Sequence, residues 1–314
     1  MLLWFPKLKK FIFPGQTPDT RFILFGETEI HAHPIILKAR SAFFRKFLDS
    51  PDAQPAEELA AFQYEWVSEI EEDGTWHLVE KSHAKPNDNK LSENKVKATE
   101  ILTFIEMLNA LYRIPYKLYA DRLILVAEMA EYYCCLPAVS RNLYCCFSMS
   151  DNNYVKRHAV PLLDVAYKLR QPLLFKDCMI HVAGSMPGGS RPPPRLSNPK
   201  IREVMMKARG EIYRRIAECQ QEIFNNISPD EENIKLLGSC WSSGSQIAIG
   251  PLSLPQYYRL LYSRSNDFAL HLKRLLQCEL QLPSSYAYIS GLFNDHFYCA
   301  RLSDEQLPGR SFCV

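Results

Sequence analysis

Glycine is scarce in this chain, 12 among 314 residues, where an average protein has roughly 7%. No Gly-x-Gly-x-x-Gly and no Gly-x(4)-Gly-Lys-Ser/Thr run is present, so the common phosphate-cradling loops are missing. A collagen-like fibre is excluded. Charge of one sign is also missing: 37 Lys and Arg stand against 35 Asp and Glu, a formal net charge of +2. Such a balance gives no global reason to expect nucleic acid or an anionic membrane as partner. No apolar run is long enough to cross a bilayer. There is no His-Glu-x-x-His pattern and no calcium-loop spacing. Gly184-Ser185-Met186-Pro187-Gly188 lacks the spacing of a nucleophile elbow.

What is present is ordinary globular composition, 47% apolar and 23% charged. The length suits one large domain or two ordinary ones and permits a core without disulfide staples. The ten cysteines sit mostly inside apolar helical patterns. In the order Met1 to Phe5, then Lys7, Lys9 and Lys10, the charges follow the apolar residues, the reverse of a secretory signal. Reduced cysteines in a cytoplasmic or nuclear protein are therefore expected. Adjacent Cys134-Cys135 and Cys145-Cys146 do not have the Cys-x(2–4)-Cys spacing of zinc knuckles. His31 and His33 would share a face of a strand, a placement suited to metal ligation or to a plain structural role. Neither metal nor cofactor is expected, and no catalytic constellation is constrained.

Residues 1–14 read as an apolar arm, with Leu3, Trp4 and Phe5 and a second triplet Phe11-Ile12-Phe13. The arm is expected to dock on this chain or on a second copy; binding at a membrane surface is the alternative. Arg21 to Phe25, a Gly26-Glu27 turn and Thr28 to Ala32 have a hairpin pattern. Pro34 suits the first turn of a helix, and Phe43, Phe44, Phe47 and Leu48 form a second apolar stripe. Residues 49–80 hold ten Asp or Glu and no Lys or Arg, and 81–97 hold five Lys against Asp88 and Glu93. The stretch 50–97 therefore reads as a mobile acidic insertion with local structure only, Trp76 to Val79 being a possible strand. Three helices with short connections follow over 99–147, Thr99, Asp121 and Pro137 marking their starts. Residues 149–314 read as a mainly helical region interrupted by a Pro/Gly-rich loop at 185–199. The basic helix at 200–227 is expected to be a solvated face rather than a nucleic-acid site, because Glu203 and Glu211 dilute its field.

One segment is more specific. Ala32 to Leu48 contains His33, Ile36, Leu37, Ala39, Ser41, Phe43 and Phe44 in the spacing His-x-x-(Val/Ile)-Leu-x-Ala-x-Ser-x-(Phe/Tyr)-Phe. That run resembles the core signature of BTB/POZ domains. Asp19 precedes the first strand, as is common in that family. Phe104, Leu108, Leu111 and Tyr112 resemble the helix before its usual Tyr-Thr-Gly turn, and 126–139 resembles the next helical pair. Arg113-Ile114 replaces the usual Thr-Gly, and the 50–97 insertion is longer than the usual connection. The resemblance covers about residues 15–147, and 154–182 resembles the helical extension that follows such domains in many filamentous-fungal proteins.

The resemblance implies an α+β, mostly α fold, a helical cluster capped by a small β-sheet over 15–148. It implies a protein-interaction module that works by burying apolar surface as a homodimer or with a protein partner, with no catalysis of its own. Two more specific roles stay open, an adaptor for a cullin-class ubiquitin ligase and a transcription-linked scaffold. Asp19, His33, Leu37, Ala39, Ser41, Phe43, Phe44 and Tyr112 are the expected structural core of the signature. Leu3, Trp4 and Phe5 are the candidate interface, since BTB dimers often exchange such arms.

Overall fold

The computed structural model describes residues 6–48, 50, 61–84, 94–149, 153–186, 195–247, 253–282 and 296–309. The described residues are mostly helical with one small mixed sheet, an α+β architecture. The chain divides into two compact units, residues 1–149 and 150–314.

In the first unit, β1 (Leu8–Lys10), β2 (Thr20–Leu24) and β3 (Thr28–Ala32) precede α1 (Pro34–Arg40) and α2 (Ala42–Leu48). Then come β4 (Tyr64–Ile70), β5 (Trp76–Glu80), α3 (Asn94–Leu111), α4 (Ala120–Tyr132) and α5 (Leu136–Cys146). The sheet order is β1-β3-β2-β4-β5. β2 pairs antiparallel with β3 and parallel with β4; β1 runs parallel to β3 and β5 antiparallel to β4. Side chains alternate along a strand, so Thr20, Phe22 and Leu24 point inward from β2 while Arg21 and Ile23 are only half-buried. Phe22 meets Phe44 of α2 and Phe104 of α3 at ring-centroid distances of 5.8 and 5.5 Å. Ile101, Phe104, Leu108 and Leu111 line the buried side of α3, the spacing of an amphipathic helix.

The β2–β3 turn is tight. Phe25 and Gly26 both have positive φ, 53° and 68°, and Glu27 N–H donates to Leu24 C=O at 2.9 Å. That is the turn whose twist matches a hairpin. Phe25 is buried and cannot take this backbone without cost; its N–H donates to the Ser68 hydroxyl of β4 at 2.6 Å, which holds it there.

The expectation of a mobile insertion with local structure only across 50–97 is corrected for the described residues, while the possible strand at Trp76 to Val79 is found within β5. Residues 64–70 and 76–80 are two sheet strands, and α3 starts at Asn94. The acids of β4 obscured the pattern because they lie on its outer face. Glu65 pairs with Arg21 of β2 and with Lys81 at 2.8 Å, while Trp66 and Ser68 turn inward. Thr99 does not cap: it lies inside α3, where its carbonyl accepts from the Thr103 hydroxyl. Asp121 lies in the first turn of α4 rather than before it.

The second unit contains α6 (Asn153–Arg157), α7 (Ala159–Lys168), α8 (Pro172–Gly184), α9 (Pro199–Asn226), α10 (Glu231–Ile247), α11 (Leu254–Arg264) and α12 (Asn266–Leu272). Every residue of α8 from Leu174 to Gly184 is buried except Lys176. The Asp177 carboxylate accepts from the N–H groups of Gln281 and Leu282, and burial pushes its pKa up to about 6 despite those donors. A Cβ on Gly184 would stand 1.8 Å from the Phe297 carbonyl, so the segment at 296–300 reaches α8 only because residue 184 lacks a side chain. The basic residues of α9 are engaged: Arg209 donates to the carbonyls of Val182 and Ala183, and Arg215 pairs with Glu211 at 3.0 Å.

Candidate interaction surface

His33 occupies the N-cap position of α1, directly after β3, with Pro34 beginning the helix. The side chain is buried and makes no cap bond to the helix. Its backbone N–H donates to the Tyr112 hydroxyl at 2.7 Å, and that hydroxyl lies 2.9 Å from His33 Nδ1. Nε2 lies 3.3 Å from the Gln16 carbonyl. A neutral imidazole with its proton on Nε2 satisfies all of these contacts: Nε2 donates to Gln16, and Tyr112 donates to Nδ1. Burial pushes the Tyr112 phenol up to about 12, so it remains a donor.

The other signature residues diverge in role. Asp19 joins two strands: its carbonyl accepts from Tyr64 N–H, and its carboxylate accepts from Gln63 N–H at 3.1 Å. Leu37 and Phe44 are fully buried. The Ser41 hydroxyl donates to the Tyr133 carbonyl at 2.6 Å and accepts from Phe44 N–H at 3.1 Å. Phe44 stacks on Tyr133 at 5.5 Å, and the half-buried Phe43 meets Tyr133 edge-on at 4.9 Å. These contacts fasten α2 to the end of α4. Ala39 departs from the expected core: it is exposed, whereas Ile36 and Leu37 of the same helix are buried.

The arm docks on its own chain over the described residues. Phe11 is buried and stacks on Tyr112 at 4.4 Å, and its N–H donates to the His31 carbonyl. Phe13 meets the His33 ring edge-on at 6.0 Å. Leu3, Trp4 and Phe5 lie outside the described residues. Docking on this chain was one of the two expectations for the arm, and Phe11 and Phe13 of the second apolar triplet provide it; their partners Tyr112 and His33 carry no signal near the arm in the sequence. Between these two aromatics, Ile12 is 85% exposed, and Ile35, two residues beyond His33, is 56% exposed. Leu8 is exposed on β1, an edge strand of the sheet. Edge strands and clustered exposed apolar side chains are the usual raw material of association.

Metal ligation by His31 and His33 is not what the geometry offers. His31 Nε2 lies 2.5 Å from a Glu29 carboxylate oxygen and its ring meets Phe62, whereas His33 is consumed by Tyr112 and Gln16. No group of three or more His, Cys, Asp or Glu among the described residues is arranged to hold a metal ion. In each adjacent cysteine pair one thiol is exposed and one buried, Cys134 and Cys145 outward, Cys135 and Cys146 inward. Burial pushes the Cys135 thiol up to about 12 and the Cys146 thiol up to about 11, the opposite of an activated nucleophile.

Among the described residues no helix is long and apolar enough to cross a membrane. No family model, no curated protein and no solved structure matches the chain.

Proposed function

We propose that residues 1–149 form a protein-interaction module of the BTB/POZ type, which self-associates through the face carrying the arm. The observation that carries this reading is the apolar exposure around His33. Ile12 and Ile35 stand in solvent at 85% and 56% beside an edge strand, while the aromatic residues flanking Ile12 are anchored on Tyr112 and His33. The backbone there is held in place, so association would bury apolar surface without first ordering the chain. Support also comes from the signature: His33 is joined to Tyr112, and Ser41 is joined to Phe44 and to the Tyr133 carbonyl. The occupant favoured is a second copy of this chain, burying the roughly 1,200–2,000 Å² of a stable interface.

The test is sedimentation velocity of the full chain over a concentration series, beside Ile12→Asp combined with Ile35→Asp. A dimer that falls to monomer in the double variant, with an unchanged circular dichroism spectrum, supports the reading. A monomer at all concentrations that also captures no stoichiometric protein from its own cells removes it. Capture of a cullin that is lost with residues 15–147 would instead favour a ligase adaptor.

A further inference from the structure

The first unit contains a cavity of about 510 Å³ lined by three arginines, Arg40, Arg113 and Arg141, with Asn142 and small residues including Ala39. They come from three places: the last residue of α1, the turn after α3 and the second turn of α5. Among the described residues no Asp or Glu lines the cavity. Like charges are normally dispersed over a surface or paired, because their mutual repulsion destabilises the fold. Here two of the three guanidiniums are held by backbone carbonyls instead. Arg40 donates to the Leu111 carbonyl at the end of α3, and Arg141 Nε donates to the Pro137 carbonyl at 3.0 Å. Asn142 Nδ2 donates to the Ile114 carbonyl at 3.1 Å and so ties α5 to the turn that carries Arg113. Arg113 itself has a φ of 56°, a left-handed backbone that glycine would adopt more readily.

The repulsion registers on Arg40. Burial first, then the fields of Arg113 and Arg141, lower its pKa from the ordinary value. An arginine stays charged under such a shift, so a bound anion would relieve the repulsion. One hydrogen bond each leaves Arg40 and Arg141 with most of their five N–H donors unspent. A second cavity, within residues 150–314, makes the contrast. Arg214, Arg215, Arg274 and Arg301 line it, but Glu218 and Glu222 share the lining, Arg214 pairs with Glu211 at 2.7 Å and also with Glu218, and Arg301 pairs with Glu279 at 2.7 Å. Carboxylates meet the arginines there; among the described residues none lines the cavity on residues 1–149.

We propose that the Arg40–Arg113–Arg141 cavity binds an acidic segment of a partner protein, through clustered carboxylates or a phosphorylated side chain. Fork-shaped guanidiniums match both oxyanions. A cavity of this size admits several side chains rather than one small ion. This inference rests on the interaction-module reading and gives it a second, polar contact.

The experiment is fluorescence anisotropy with the full chain. The probes are a fluorescein-labelled octapeptide rich in Asp and Glu, the same peptide with one phosphoserine, and a neutral Asn/Gln version; inorganic phosphate is the competitor. Saturable binding of one or both acidic peptides is expected, with affinity falling as salt rises. Arg113→Gly and Arg141→Gln should each weaken it by about tenfold or more. Arg113→Gly suits the backbone at that position, so its melting midpoint should hold while binding is lost. Equal binding of the neutral peptide, acidic-peptide binding untouched by both variants, or no saturable binding overturns the proposal. Inorganic phosphate binding as tightly as either peptide also overturns it in favour of a free-anion site. Peptide binding through these arginines by a chain that neither dimerises nor captures a partner would remove the module reading while leaving the site.

Discussion

The Tyr112 hydroxyl bridges two nitrogens of His33, accepting from the backbone N–H at 2.7 Å and lying 2.9 Å from Nδ1. One phenol thereby fastens the end of α3 to the junction between β3 and α1, and Phe11 lays the arm over the same ring. The strand-to-helix turn, the helical cluster and the arm meet at this pair.

Tyr112→Phe removes both contacts and leaves two buried polar atoms of His33 without them. The cost should be about 1–3 kcal/mol, read as a shift in the urea midpoint. Phe keeps the stack with Phe11, so the loss belongs to the hydroxyl. An unchanged midpoint would show that the junction does not depend on it.

Phe44→Ala empties the space between Phe22 and Tyr133. A loss of about 3–5 kcal/mol is expected. Thermal melting measures it, and a midpoint within error of the parent would refute the placement of α2.

Glu106 on α3 is buried beside Arg122, 3.3 Å away. Burial outweighs that arginine and raises its pKa from 4.5 to about 7. Between those values the folded chain keeps a proton that the unfolded chain has released. Stability is therefore highest below pH 4.5 on this account and falls as pH rises through the window, by on the order of 3 kcal/mol. Glu106→Gln should remove this part of the pH dependence, so the variant and parent diverge from pH 5 to pH 8. Parallel urea-stability profiles would contradict the assignment.

Gly184→Ala places a methyl group 1.8 Å from the Phe297 carbonyl if nothing moves. The contact is with backbone, so relief requires the segment at 296–300 to shift. That should cost about 3 kcal/mol or more and speed amide exchange at Phe297, whose N–H donates to the Gly184 carbonyl at 2.9 Å. Retained protection at that amide would be the contrary result.

Several elements were legible because their signals are local. Pro34 and Pro137 stand in the first turns of α1 and α5, where a missing N–H costs nothing. The spacing of Ile101, Leu108 and their neighbours marked α3, and the hairpin over 20–32 matched its alternation and its Gly26 turn. The His33 to Phe44 spacing marked a junction at which His33 hydrogen-bonds to Tyr112 and Phe44 is buried. It did not distinguish Ala39, which is exposed, from the buried residues around it.

What sequence alone determined about this chain is the type and order of its strongest elements, since propensity, proline position and periodicity act within a few residues. Tertiary structure decided the rest. β4 became a strand because Arg21 and Lys81 pair with Glu65 and the edge of β2 was open to it, conditions that no acidic run displays by itself, whereas Trp76 to Val79 of β5 could be read locally. Arg40, Arg113 and Arg141 look unrelated along the chain, and only the packing of α1, α3 and α5 brings them to one cavity. Long-range pairing and charge convergence depend on which surfaces meet, and that is set by burial of the whole core rather than by any one segment.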